Sequence, residues 1–253
     1  MKKWLLSLLN PQTLVFLGVA IVSFFSAAYF NLRVSHNMIL FSLVISFPLV
    51  FSLQAAYKVR ERAREYLSGF NAGMIAVSDS FLQANTLSKA NQQKIQKIIA
   101  DLHGNYVEYL KNGSGDASMV LASFSQITFF LVQHNDQLDT KVTFSVNKYM
   151  RYVNECGVYL VSTKQHKTVR GIRVLSTIAL HLFTFIQAAY LLNTVGGLLP
   201  NALIFFISFI SSLTLASLQL IQRQLEDPFD QDGFDDIRFE MFSFPANRQK
   251  IVS

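Results

Sequence analysis

Long apolar runs without a single charge alternate along the chain with segments dense in charge. No Asp, Glu, Lys or Arg falls between Lys3 and Arg33, between Arg33 and Lys58, or between Arg173 and Arg223. A helix that crosses the hydrocarbon core of a bilayer needs about 20 apolar residues, so the first two intervals hold one span each. The third is longer and is broken by Gly196, Gly197 and Pro200, where glycines suit a helix end and proline a helix start. The pattern predicts four transmembrane helices, at Thr13–Phe30, Met38–Tyr57, Val174–Leu192 and Pro200–Ile221. Asn10 and Pro11 read as the cap and first residue of the first helix, and its run is too long for a cleaved leader.

The segment between the two helix pairs is also helical in pattern. Residues Tyr57 to Leu82 continue the second helix, without a breaker until Gly69, and Ala90–Asn112 forms another helix that ends in the turn signal NGSGD. Ala117–His134 and Thr140–Val161 follow. The apolar stretch MVLASFSQITFFLV is about 14 residues long, short for a membrane span and suited to a helix buried in a bundle. No alternating strand pattern or repeat of fixed period appears. The expected architecture is all-α: a multi-pass transmembrane helical protein with a helix pair over residues 1–57, a cytoplasmic helical insert over 58–170, a second pair over 171–222 and an acidic tail over 223–253, where RQLEDPFDQDGFDDIRFE leaves the helix around Asp227.

Composition agrees with this division. Of 253 residues, 51% are apolar and 15% charged, against about 25% charged in a soluble domain. Lys2, Lys3, Lys58, Arg60, Arg62, Arg64, Lys164, Lys167, Arg170, Arg173 and Arg223 all fall on one side of the predicted membrane, and only Arg33 on the other. Both termini and the insert are therefore expected to be cytoplasmic, in a plasma (inner) membrane. The net charge of +6 then records topology and not a nucleic-acid partner. Cys156 is the lone cysteine, and His36, His103, His134, His166 and His181 lack metal-ligand spacing. No GxSxG, P-loop or GxGxxG motif is present, so no enzyme is expected.

One stretch changes from apolar to basic within a few residues: FSLVISFPLVFSLQAAYKVRERAR, Phe41 to Arg64. At about 100° per residue, Leu43, Phe47 and Phe51 share roughly an 80° arc of one helix. Gln54, Lys58 and Glu61 continue that arc, so one face runs from apolar to polar to charged as the helix leaves the bilayer. A pore-lining helix needs this succession; a stripe packed on a neighbouring helix has the same period. Pro48 inside this helix frees a carbonyl and predicts a bend.

Two segments resemble the bestrophin family. RQLEDPFD at Arg223–Asp230 is similar to the I-E-D-P-F-G signature that closes the transmembrane unit of bacterial bestrophin homologues. AAYKVRERAR at Ala55–Arg64 aligns without gaps on A-S-Y-D-R-W-W-E-A-R, although Arg60 and Glu61 replace the paired tryptophans. The resemblance covers nearly the whole chain. It implies a homopentamer in membrane lipid, with one axial pore for chloride or other small inorganic anions. The hydrophobic neck falls on Leu43, Phe47 and Phe51, and the vestibule on Gln54, Lys58 and Glu61. Three stacked apolar rings would control passage by wetting and dewetting, phenylalanine edges would face the anion, and Lys58 would add positive charge that Glu61 opposes.

Animal bestrophins bind calcium with acidic residues after this signature. Carried over by position, the chain offers Asp227, Asp232 and Asp235 with the backbone of Gln224, while Gln231 and Gly233 stand where acids are expected. The glycine of DQDGFDD sits fourth, not sixth as in an EF-hand loop. An acidic tail that simply packs on the basic insert satisfies the same sequence. A cation-selective channel, a non-conducting membrane scaffold and a membrane-embedded hydrolase using the acidic tail are the rival functions.

Overall fold

The computed structural model describes residues 11–35, 38–113, 115–166, 170–231 and 236–244. They are helical, without a strand among them. In order they form α1 (Pro11–Tyr29), α2 (Met38–Leu82), α3 (Lys89–Asn112), α4 (Ala117–Ala122), α5 (Ser125–Gln133), α6 (Thr140–Gln165), α7 (Arg170–Val195) and α8 (Asn201–Glu226), with short 3-10 turns at Asn135–Gln137 and Phe239–Phe242. The basic residues Lys2, Lys3 and Lys167 and the cap Asn10 lie outside the described residues.

By length and composition, α2, α7 and α8 can each cross a membrane, and α1 is a shorter apolar helix. The helices divide into two compact units. One takes α1, α2 as far as Lys58, α7 and α8 to Glu226; the other takes α2 from Val59, α3 to α6, and the chain from Asp227 onward.

In the first unit the buried surface is built largely from small residues. Ala20, Ser23 and Ala27 on α1, Ala188 and Ala189 on α7, and Ser208, Ser212 and Ala216 on α8 are all buried. Apolar side chains gain nothing by leaving lipid for one another, so small residues that let backbones approach closely carry such contacts. Phe24 fills the remaining gap against Phe205, ring centroids 5.2 Å apart. Two polar side chains find partners inside the unit: the Gln219 amide donates to Thr177 Oγ1 at 2.7 Å, and His181 Nδ1 lies 2.7 Å from the Thr177 carbonyl with its ring edge-on to Phe16. Arg33 donates to the Leu192 carbonyl and Asn193 to that of Val34 at 3.2 Å. The turn between α1 and α2 is tied to the end of α7 in this way.

In the second unit α2 runs on through Gly69 and Gly73 to Leu82, the end expected from the sequence. Both glycines sit where α6 comes close. A Cβ on Gly73 would lie 2.7 Å from Val153 Cγ2, and one on Gly69 would meet the Tyr152 hydroxyl and, at 3.1 Å, Cys156 Sγ. They are contact points in a helix interior, not punctuation. The apolar stretch expected as one helix over Ala117–His134 is split: the first piece ends at Ala122, Ser123 Oγ bonds back to the Val120 carbonyl at 2.6 Å, and the chain restarts at Ser125. Phe124, Ile127, Phe130 and Leu131 from it enter the core beside Phe70, Met74, Phe81 and Tyr106.

The acidic tail is part of this second unit. Phe229, Ile237 and Phe239 are buried in its core. The Ile237 N–H donates to the Pro228 carbonyl at 3.0 Å, and Gln231 Nε2 donates to the Ile237 carbonyl at 2.8 Å.

Candidate pore-lining face and the corner after the last helix

The apolar half of α2 is buried along one strip only. Ile45, Leu49, Ser52 and Ala56 are buried, and Ile45 and Leu49 pack with Phe16, Leu180 and Ala216. Leu43, Phe47 and Phe51 are 41%, 55% and 65% exposed. With about 100° per residue, the centres of the two strips lie roughly 190° apart around the helix. The three predicted neck residues thus occupy the face opposite the one the protomer uses for its own packing. The Phe47 and Phe51 rings stack along it, centroids 6.3 Å apart and 24° from parallel. α2 runs through Pro48 in the middle of this segment without losing its helical assignment.

Gln54 and Lys58 continue the face and are exposed. Glu61 is engaged elsewhere than with Lys58: its carboxylate accepts from Arg60 at 2.9 Å and from Arg64 at 3.1 Å. Its negative charge is therefore met locally by two guanidinium groups. Around the point where α2 turns basic, Lys58, Arg60, Arg62 and Arg64 outnumber this single carboxylate.

Asp227, the first of the three carboxylates that the resemblance assigns to calcium, is buried. Both its oxygens lie 3.3 Å from Lys164 Nζ, and Oδ1 accepts the Phe229 N–H at 3.3 Å. Asp232 and Asp235 lie outside the described residues. Among the described residues no three His, Cys, Asp or Glu side chains gather to hold a metal. Asp227 does not fit the role of a free calcium ligand, since an ammonium group of the chain already occupies its acceptor side. Lys164 was not singled out by sequence reasoning, where it counted only as one basic residue of the insert. Its single hint was its place in the last turn of a helix, where cations suit the dipole.

Two further groups fall outside any site. His103 is buried, stacks on Phe70 at 5.7 Å and faces the Phe244 ring at 5.5 Å. Burial lowers its pKa to about 4, so it is neutral near pH 7. Cys156 is fully buried and burial pushes its thiol up, the reverse of an activated nucleophile.

A membrane-type bundle whose long second helix continues into a separate helical unit, closed by a buried Asp-Pro-Phe corner, defines a multi-pass helical membrane protein. The arrangement is that of the bestrophin fold. Over 95% of this chain and 98% of the other, it superposes with TM-score 0.76 and 12% identity on a point-mutant crystal structure of a bacterial bestrophin homologue from Klebsiella pneumoniae. A further crystal structure of a bacterial bestrophin homologue from that organism gives 0.74 over 92% and 93% at 13% identity. A mutant of a protein described only as a membrane protein gives 0.75 over 96% and 95% at 13% identity. No family model and no curated protein matches the sequence.

Proposed function

We propose that the chain forms a pentameric channel for chloride or similar small anions, with Leu43, Phe47 and Phe51 as its hydrophobic neck. The observation that carries this reading is the exposure of that stripe on the side of α2 turned away from the protomer's own contacts. Five such faces meeting at an axis would stack three apolar rings, narrow enough to dewet and to pass an ion only when wetted. The inner mouth would be electropositive: Lys58 follows the neck on the same face, and Glu61 is held by Arg60 and Arg64. A cationic vestibule concentrates anions and disfavours cations. In this reading the second unit and both termini are cytoplasmic, the membrane is the plasma (inner) membrane, and Gln54 marks the transition from neck to vestibule. No catalytic step is involved.

The test is purified protein in planar bilayers together with its mass in detergent. In asymmetric NaCl the reversal potential is expected to move toward the chloride value. Movement toward the sodium value would reject anion selectivity and favour a cation channel of the same fold. A monomeric mass, or silent bilayers, would reject the pore and leave a membrane scaffold.

A further inference from the structure

The chain carries its own cation at the corner where the family resemblance places a metal. Asp227 opens the Asp-Pro-Phe turn that follows α8. Its side chain is 11% exposed, and that of Lys164 is 12% exposed. Lys164 lies in the last turn of α6, and its stem runs beside the left-handed turn that ends α3: a Cβ on Gly113, φ +62°, would lie 3.4 Å from Lys164 Cε. One side chain therefore touches the ends of two helices and the start of the tail. Oδ1 of Asp227, which also faces Lys164, caps the turn by accepting the Phe229 N–H. Phe229 is fully buried.

We propose that Lys164 is the built-in counter-cation of Asp227, and that it fixes the described tail, residues 228–231 and 236–244, on the second unit without calcium. A charge buried to this degree must be paired, and an ammonium group within hydrogen-bond reach of both carboxylate oxygens meets that need. A divalent ion at Asp227 would have to displace that ammonium group or sit against it, and either is opposed by charge. Lys164 is thus a positioning residue for the corner, independent of what the membrane unit conducts.

The experiment is amide hydrogen exchange of the tail in the full-length protein in detergent, with calcium chelated or present at millimolar level. In the wild type, protection at Phe229 and from Ile237 to Phe242 is expected to be the same in both. Lys164→Met takes the ammonium group away from the buried Asp227 carboxylate, and should speed exchange of this segment by about tenfold or more. Lys164→Arg, which retains the charge, should restore most of the protection. Asp227→Asn, nearly the same shape, should loosen the tail less, and Lys164→Met combined with Asp227→Asn should exchange more slowly than Lys164→Met alone, the mark of a coupled pair. Calcium-dependent protection in the wild type would overturn the proposal, as would Lys164→Met exchange equal to wild type, or a double variant whose loss equals the sum of the single ones.

Discussion

The two faces of α2 make opposite demands, and substitution on each separates them. Leu49 is 4% exposed and packs among Phe16, Leu180 and Ala216. Truncating such a side chain to alanine leaves a cavity and costs about 2–5 kcal/mol. Phe51 is 65% exposed and Phe47 55%. Complete burial of a phenylalanine is worth up to about 3 kcal/mol, so these partly covered rings return about 1 kcal/mol or less to the protomer. Phe47→Ala and Phe51→Ala should thus leave the fold nearly as stable as before. In an assembled channel the same changes widen two of three apolar rings and ease wetting of the neck. Each lowering of the permeation barrier by about 1.4 kcal/mol raises passage tenfold. Reversible unfolding in mixed micelles supplies the stability, and macroscopic current in bilayers at matched protein density supplies the conduction. The expected result is crossed: Leu49→Ala unfolds early, while Phe51→Ala keeps its stability and shows a several-fold larger current or weakened gating. If Phe47→Ala and Phe51→Ala destabilise as Leu49→Ala does with no change in current, the assigned neck face is packed against protein or lipid and the reasoning fails.

Other expectations concern the second unit. Gly73→Ala should cost about 1–3 kcal/mol, because its methyl would press on the buried Val153 at 2.7 Å, while Gly104→Ala, with open space at its Cβ, should gain about 0.5–1 kcal/mol from helix propensity; denaturation midpoints decide both. His103 is held neutral with its pKa lowered from 6.5 to about 4, so the unfolded chain takes up the proton first as pH falls. Stability from this residue is present above pH 6.5 and is lost as pH falls from there through about 4, by about 3 kcal/mol in all, and His103→Phe should flatten that part of the stability–pH curve.

The apolar runs were legible because a bilayer imposes one plain rule, that a span carries no unpaired charge for about 20 residues. The helical insert was legible too, since the second helix bears no proline after Pro48 and Ala90–Asn112 runs to the turn signal NGSGD. Periodicity selected Leu43, Phe47 and Phe51 as one stripe, but a repeat of 3.6 residues has no sign. Only the packing of Ile45 and Leu49 on the opposite side showed which face the protomer leaves uncovered. Gly69 reads along the chain only as a helix-weakening glycine, because the partner that explains it, α6, comes about 80 residues later. The same holds at the corner: Asp227 and Lys164 are separated by 63 positions, so sequence alone could register an acidic tail and a basic insert but not one carboxylate meeting one ammonium group. Local composition and period determine what each segment is; which side chains meet is decided when the chain closes on itself, because contact energy depends on distance in space and not along the sequence.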